Sequence, residues 1–581
     1  MSAFLDIEES LTGRRWSGPT EAEDRHAEAL AQKTGLPPAL AAVLARRGVA
    51  AEESEAFLAP TLRALLPDPL ALRDMGVAAD RLLAAVAGRE RIAIFADYDV
   101  DGGASAALLL TWLHEAGREA TLYIPDRIDE GYGPNAPAMR ALARDHDLIV
   151  CVDCGTLSFE AIAAAEGADV VVVDHHLGGE TLPPALAVVN PNRQDEAGDL
   201  GHLCAAAVVF LLLVEANRRG RAQGLCGPDL MAMLDLVALA TVADVAPLTG
   251  VNRALVRQGL TVMARRERPG LVALADSARL TSAPAAYHLG FVLGPRVNAG
   301  GRVGRADLGA RLLATRDASE AAALAERLEA LNAERREIEA AVRDAALTQA
   351  EARGLDAPLV WAADEGWHPG VVGIVASRLK EATGRPAVVI GLEGAEGKGS
   401  GRSVAGVDLG AAVQRLAAEG LLIKGGGHRM AAGLTVARDR LDEAMARLGA
   451  LLARQGAGAE AGPRELRHEG LLMPGAATLE LAERIEAAGP FGAGAPAPRY
   501  AIPDMGIRAV RRIGAGHLRL TADDGMGGRI EAVAFGAFDG PLGPALEAHS
   551  GLRFHLSGRL EINDWGGRRR AQLRLEDAAR A

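Results

Sequence analysis

The sequence predicts an α/β protein of several domains that ends in a small β-barrel, and three observations carry that expectation. Short apolar runs at Arg91–Ala96, Leu148–Val152 and Asp169–Val173 are each followed at once by acidic residues, and the first two then by helical stretches. Strand, loop and helix in that rhythm suit a parallel sheet covered on both faces. A second such set has Pro358–Ala362 and Pro386–Ile390 as strands around a Val371–Ala382 helix. From Gly489 onward the segments are short, alternating and glycine-punctuated, as in Leu518–Thr521, Ile530–Phe535 and Phe554–Leu560, which is the signature of a barrel.

The remaining elements follow in order. Glu21 to Pro60 reads as a small alanine-rich helical entry, broken at Pro37-Pro38. Leu234 to Val245 is a fourth apolar run and reads as a strand with Asp244 near its end. Leu324, Leu328, Leu331, Ile338 and Val342 recur at helical spacing with no Gly or Pro before Gly354. One long connector helix over Ser319 to Arg353 is the expectation. The glycine clusters at Gly397–Gly401 and Gly425–Gly427 read as loops, and Gln455 to Pro463 as a linker.

The chain has 581 residues, 49% of them hydrophobic and 24% charged, an ordinary globular composition that excludes disordered, collagen-like and coiled-coil classes. Its net charge of -13 argues against bulk electrostatic coating of nucleic acid, though a local basic channel is compatible with it. Four cysteines form no disulfide framework, and Cys151-Val-Asp-Cys154 reads as one small buried thiol and not as a redox or zinc pair, because Cys151 lies inside the strand and Asp153 belongs to a different constellation. Asp6, Glu8 and Glu9 stand where a secretory signal needs basic and then apolar residues. A soluble, cytoplasmic protein without membrane contact is expected.

Asp97-Tyr-Asp99-Val-Asp101-Gly-Gly103 places three carboxylates directly after an apolar strand. Like charges so close need a cation to compensate them. An acidic turn or a calcium loop is the plainer reading, but Leu108 stands where an EF-hand needs its bidentate Glu. Asp153 ends the next strand, Asp174-His175-His176 the one after, and Asp244 the fourth run. In open α/β sheets, ligands bind beyond the carboxyl ends of the strands. Asp and His gathered there suit two cations about 3.5 to 4 Å apart, the arrangement that serves in-line displacement at phosphate. Oxygen donors favour Mg²⁺ or Mn²⁺, and added imidazole tilts the choice to Mn²⁺.

These stretches, together with Val152-Asp-Cys-Gly155, Ala240-Thr-Val-Ala-Asp-Val245, Gly294-Pro-Arg-Val-Asn-Ala-Gly-Gly-Arg302, Gly366-Trp-His-Pro-Gly370, Gly399-Ser-Gly-Arg-Ser403 and Gly425-Gly-Gly-His428, resemble the DHH phosphoesterase superfamily, and within it the single-strand exonucleases. The resemblance implies a 5′-to-3′ exonuclease on single-stranded DNA, used in recombination and repair, with a two-metal Mn²⁺ or Mg²⁺ site. It implies a helical segment at 1–70, a DHH catalytic domain at 71–270, a linking segment with the connector helix at 271–354, a DHHA1 substrate-binding domain at 355–455 and an OB-fold barrel at 464–581. The two α/β lobes would both be built on parallel sheets.

By the same resemblance the metal ligands are Asp99, Asp101, Asp153, His175 and Asp244, with Asp97 a supporting carboxylate and His176 a ligand or a proton and phosphate contact. Arg127 and Tyr132 match a loop that meets the first nucleotide, and Ser400 and Arg402 a loop that takes the terminal 5′-phosphate. Arg296, Asn298 and Arg302 are open between phosphate contact and interdomain anchoring, while His368 and His428 would face the nucleotide. In the barrel, Arg511, Arg512 and Arg568–Arg570 are candidates for backbone contact, with Phe535, Phe554 or Trp565 for stacking. Helicase and single-strand-binding protein are expected partners of a monomer. Two rival readings stand: a nanoRNase or cyclic-dinucleotide phosphodiesterase, which leaves the barrel unexplained, and a non-catalytic single-strand-binding scaffold, against which the ligand set argues.

Overall fold

The computed structural model describes residues 3–126, 130–222, 224, 227–458, 464–514, 516–565 and 568–581, with Trp565 described by its backbone alone. The chain folds as two compact units: Pro67–Ala246 with Gln258–Glu460, and Met1–Leu66 with Pro247–Arg257 and Ala461–Ala581.

The first unit opens with a five-stranded sheet in the order Ala120–Tyr123, Ile92–Ala96, Leu148–Val152, Asp169–Val173, Ala187–Val189, every pair parallel. Strand residues alternate between faces, so Ala93, Phe95, Ile149, Cys151 and Val172 form one core layer with Met139 and Ile162 of the helices Ala136–Asp145 and Phe159–Ala163. From Ile92–Ala96 the chain steps outward to Ala120–Tyr123 and then returns to the other side, at Leu148–Val152. That reversal opens a crevice beyond the carboxyl ends of the two strands. Residues 97–101 and Asp153 occupy it.

The expected strand at Leu234 to Val245 is instead the helix Leu234–Ala243, with Asp244 as its C-cap. Its residues are buried from Leu234 through Thr241, and a helix buried all round shows no amphipathic period to tell it from a core strand. The helix Ala318–Arg353 runs as expected, started by Asp317 accepting from Ser319 N and Glu320 N, and stopped at Gly354 with φ 96.

The second sheet of this unit is mixed, where a parallel one was expected. Only Val360–Glu365 and Ala387–Glu393 pair in parallel; Glu396–Arg402, Ala431–Ala437 and Lys424–His428 are added antiparallel. A two-residue turn at Gly394-Ala395, with Gly394 at φ 58, reverses the chain before a crossover helix can form. The glycine clusters expected as loops lie within these strands. At Gly397, Gly399 and Gly401 a Cβ would come within 2.7 to 2.8 Å of Ile390 or Leu409 side chains. Glycine on one face of the strand thus admits the core, and Lys398, Ser400 and Arg402 take the other face.

The second unit joins distant stretches of sequence. Tyr500–Ile513, His517–Asp523, Arg529–Ala534, Arg568–Arg580 and Arg553–Trp565 pair in that order, and the last pairs back with the first to close a barrel. Helices Glu21–Thr34 and Pro38–Ala45 share its core through Leu30, Leu40 and Leu44, which cluster with Ile485, Tyr500 and Ile502. Arg14–Ser17 pairs with Arg464–Arg467, and fully buried Trp16 donates from Nε1 to Asp577 Oδ2 at 2.9 Å. No helix among the described residues is long and apolar enough to cross a membrane.

Candidate metal centre and its surroundings

Each carboxylate of the crevice is held by a local rule of backbone structure. Asp99 caps the helix Val100–Glu115, its Oδ1 accepting from Asp101 N at 2.9 Å and Gly102 N at 3.2 Å. Gly102 leaves room for this turn, since a Cβ there would lie 2.4 Å from Asp97 O. Asp101, 1% exposed, accepts from Ala205 N at 2.7 Å and Ala206 N at 2.8 Å, at the start of the helix Ala205–Ala222. Asp153 is buried with φ 59, a left-handed conformation that strains a residue other than glycine.

Three overlapping triplets of ligand atoms, each within 4.8 Å of one another, result: Asp97, Asp99 and Asp153; Asp153, His175 and His176; Asp101, His175 and Asp244. His175 Nε2 is 3.3 Å from Asp153 Oδ1 and 3.7 Å from Asp101 Oδ2, while its Nδ1 is 3.9 Å from Asp244 Oδ2. Asp153 Oδ1 is buried and accepts no hydrogen bond, so its lone pairs face the cluster unsatisfied. Burial, then the charges of Asp101, Asp99 and Asp97, push the Asp153 carboxyl well above the carboxylate range. Burial and then Asp101 raise Asp244 to about 8. So many acids cannot all ionise in one buried pocket without compensating positive charge. Oxygen-rich with one or two imidazoles, the donor set fits Mn²⁺ or Mg²⁺.

Asp174 stands apart from the triplets and acts as their scaffold. Its Oδ1 accepts from His175 N at 2.7 Å, His176 N at 3.2 Å and His176 Nδ1 at 2.8 Å, and its Oδ2 from Thr156 N at 3.0 Å. Burial opposes ionisation of Asp174, but the hydrogen bond and charge of His176 hold it below the usual range. Burial likewise opposes charge on His176, and Asp174 overrides it to raise the imidazole to about 9. As an imidazolium, His176 donates from Nε2 to Tyr132 Oη at 3.2 Å, and Tyr132 O–H donates on to Asp153 O at 3.4 Å. Asn190 and Asn192 complete the frame, Asn190 Nδ2 donating to His176 O at 2.8 Å and Asn192 Nδ2 to His175 O at 2.6 Å.

In the second lobe, Ser400 and Arg402 share a strand face, with Arg402 Nη1 2.9 Å from Ser400 Oγ. They lie against Gly373 of the helix Pro369–Thr383, where a Cβ would come within 3.1 Å of Ser400 Oγ and 3.2 Å of Arg402 Nη2. His368 caps that helix, its Nδ1 accepting from Gly370 N at 3.0 Å. Arg302 Nη1 donates to Gly370 O at 3.1 Å. His428 ends its strand, exposed, with Nδ1 accepting from Met430 N at 3.3 Å.

The chain matches the DHH family, N-terminal domain, over residues 91–241, the DHHA1 domain over 356–454 and the RecJ OB domain over 468–577. It is 39% identical to the single-stranded-DNA-specific exonuclease RecJ of Dickeya dadantii, over 94% of this chain and 97% of that protein. The chain belongs to the RecJ family. The Escherichia coli RecJ is 36% identical over 93% of this chain and 96% of its own length. The crystal structure of Thermus thermophilus RecJ in complex with Mn²⁺ matches with a TM-score of 0.80 at 32% identity, covering 97% of this chain and 79% of that one.

Against this RecJ frame, the structure brings Asp97, Asp99, Asp101, Asp153, His175, His176, Asp244 and Tyr132 into one crevice. Arg296, Asn298 and Arg302 lie on a helix, Gly294–Val303. Arg296 pairs with Glu329 of the connector helix, and Asn298 Oδ1 accepts from Val100 N at 2.9 Å, next to Asp99. Arg127 lies outside the described residues. In the barrel, Phe554 is buried core and Phe535 is exposed, while the Trp565 side chain lies outside the description. Arg512, Arg569 and Arg570 pair with Glu547, Glu483 and Glu531, which weakens their candidacy for backbone contact. Sequence reasoning named Asp174 in the acidic constellation without its role as scaffold, and missed Asn190, Asn192 and Gly373; the Val189-Asn-Pro-Asn192 stretch after an apolar strand was the available signal for the two asparagines.

Proposed function

We infer that the chain is a metal-dependent exonuclease that hydrolyses the phosphodiester bonds of single-stranded DNA. One observation carries the reading: buried carboxylates and imidazoles in three overlapping triplets, joined at Asp153 and His175, in a chain of the RecJ family. Asp99, Asp101, Asp153, His175 and Asp244 would hold two ions of Mn²⁺ or Mg²⁺, with Asp97 beside Asp99 and Asp153. Bound there, the ions supply Lewis-acid charge that activates water and stabilises the phosphoryl transition state.

The chain's own residues do the rest. Asp174 fixes both imidazoles, and His176 keeps a proton at Nε2 within reach of a phosphate or leaving oxygen. Tyr132, half exposed beside His176, offers a face to the terminal nucleotide, and Arg127 belongs to the same stretch. Ser400, Arg402 and the first turn of Pro369–Thr383 form an anion cradle for a 5′-phosphate, which sets 5′-to-3′ polarity. His368, His428, Arg302 and Asn298 border this region, and Arg296 anchors the connector helix. The barrel adds a single-strand-binding module. The closed barrel and the complete set of ionisable donors favour this reading over the nanoRNase and scaffold alternatives.

Action as a monomer, on strands exposed by a helicase and guarded by single-strand-binding protein, belongs to the same reading, because the enzyme consumes a single strand that another activity must expose. Cys151, Cys154 and Cys204 are free thiols, which supports a reducing cytoplasm. The decisive assay incubates 5′-phosphorylated single strands with Mn²⁺. Progressive loss from the 5′ end is expected; intact substrate, or shortening from the 3′ end, overturns the reading.

A further inference from the structure

Within the unit that holds the metal crevice, a separate cavity of about 580 Å³ opens between helices and the loops that join them. Its floor is apolar, built from Val262, Met263, Leu271, Val272, Ala275 and Leu280. Three arginines line it, Arg266, Arg268 and Arg316, against two carboxylates, Asp235 and Glu267. A concave, mostly apolar space of about 300 to 1,000 Å³ with a few fixed polar groups is the usual form of a small-molecule site.

The polar groups divide into wall and mouth. Arg268 is spent on buried Asp235, with Nε 2.8 Å from Oδ2 and Nη2 3.0 Å from Oδ1, and that pair closes the wall. Arg266 and Arg316 are about half exposed, and they pair with Asp276 and Glu115. A guanidinium has more N–H donors than one carboxylate uses, so both heads keep donors for an anion. Arg266 also stands at φ 56, a left-handed backbone that costs a residue other than glycine and that collects at ligand clamps. Two walls are the far ends of the helices that carry metal ligands. Val100–Glu115 begins with Asp99 and Asp101 and reaches the cavity at Thr111, while Leu234–Ala243 ends at Asp244 and brings Asp235 to the cavity in its first turn. At about 1.5 Å per residue each span is roughly 15 Å, and the two helices pack on each other.

We propose that this cavity is an effector site for a small amphipathic organic anion. The apolar body enters over Val272 and Ala275, and its carboxylate, sulfonate or phosphate group meets the Arg266 and Arg316 guanidiniums at the mouth. Burial of the body supplies the affinity, and the arginines select for negative charge. A ligand seated there bears on the ends of both ligand-carrying helices, and packed helices shift as units rather than deform. Occupancy therefore changes how tightly the metal centre holds its ions, and by linkage the ions change the affinity of the cavity by the same factor. The site stands independently of the exonuclease reading; its coupling rests on the metal assignment.

Anilinonaphthalene sulfonate, an apolar ring system bearing one anion, is the probe. Its fluorescence is titrated in metal-free buffer against the full-length chain, against Val272→Trp, which fills the floor, and against Ala283→Glu, which adds a carboxylate at the exposed mouth. Neither residue belongs to the metal centre, so both variants should still degrade single strands. One saturable equivalent is expected in the wild type, and its loss in both variants. Binding retained by Ala283→Glu overturns the site, whether or not Val272→Trp folds. Repeated with saturating Mg²⁺, the wild-type dissociation constant of the probe should change about fivefold or more; an unchanged constant overturns the effector role. Calorimetry with Mg²⁺ alone separates the two failures: if no ion binds, the metal assignment and the coupling both fall, while the metal-free titration still decides the cavity.

Discussion

Asp174 Oδ1 lies 2.8 Å from His176 Nδ1 and is the same oxygen that accepts the backbone N–H groups of His175 and His176. One buried carboxylate therefore sets the backbone, the ring orientation and the protonation state of the histidine pair.

Replacing it by Asp174→Asn keeps the volume and removes the charge. The His176 pKa is expected to fall well below about 9, because burial is then opposed only by the lesser charges of Asp97 and Asp244. Activity at neutral pH should drop roughly 10- to 100-fold, as for other groups that orient a metal site. Imidazole NMR titration and kcat measured on the same preparation check both parts; an unchanged His176 pKa would refute the scaffold role.

Asp153→Asn should abolish cleavage and raise the stability of the metal-free protein. The wild-type carboxyl is buried and surrounded by other acids, and asparagine keeps its size and its left-handed backbone at φ 59 without the acid. A gain of roughly 1 to 3 kcal/mol in chelator-treated protein near neutral pH is expected, because the buried wild-type carboxyl must take up a proton on folding and asparagine need not. Thermal melts with and without chelator measure it, and single-strand binding should survive.

Adding Mn²⁺ to the chelator-treated protein should stabilise it, by about 2.7 kcal/mol when the free ion stands at roughly 100 times its dissociation constant. Asp244, raised to about 8, is mostly protonated at neutral pH and must lose its proton to bind. Ion binding is thus expected to release protons and to tighten as pH rises towards 8. Calorimetry in buffers of different ionisation enthalpy reads the proton count directly.

Gly373→Ala is predicted to move stability and binding in opposite directions. Alanine favours the helix interior by about 1 kcal/mol, so the melting temperature should hold or rise. Its Cβ, within 3.1 Å of Ser400 Oγ and 3.2 Å of Arg402 Nη2, displaces both side chains. KM for 5′-phosphorylated strands should rise several-fold with kcat retained, and the preference over 5′-hydroxyl strands should shrink.

His468 sets a pH limit on the barrel unit. Burial, opposed in part by the Ser17 carbonyl, lowers its imidazole to about 4 from an ordinary 6.5. The unfolded chain therefore binds the proton first. Stability is full above about pH 6.5 and is lost as pH falls towards 4, by roughly 3 kcal/mol in total. His468 Nε2 is 2.8 Å from Ser557 Oγ, so His468→Gln keeps a polar partner there while flattening denaturant midpoints across that pH window.

The parallel sheet and its acidic loops are legible in the sequence because fully buried strands leave continuous apolar runs and because Asp97 to Asp101, Asp153 and Asp174 to His176 follow them at once. Asp244 is legible as part of the site although its helix reads as a strand; the residue's place in the crevice depends on where the buried run ends, not on its form. Ser400 and Arg402 carry the right chemistry in an unexpected local structure, since the alternating glycines of residues 397–401 make room for Ile390 and Leu409 side chains rather than form a loop. Asp174 eludes a sequence reading as a scaffold because a motif shows which residues are adjacent, not which oxygen each N–H meets. The partnership of residues 14–45 with the barrel is invisible for a simpler reason: no local pattern reports a pairing across some 450 positions, such as Arg14 with Arg464.

That pairing bears on how the protein is made. On the ribosome, residues 14–45 emerge first but must wait for residues 464–580, which supply their strand partner, the Asp577 acceptor for Trp16 and most of their core. The residues of the metal crevice, Asp97 to Asp244, are all synthesised more than 200 positions earlier, in a unit that ends at Glu460. During synthesis the early helices stand with Leu30, Leu40 and Leu44 uncovered while the nuclease lobes fold behind them. A nascent chain stalled near residue 460 would thus hold Leu30, Leu40 and Leu44 without the partners that cover them, and exposed apolar surface of that kind favours aggregation.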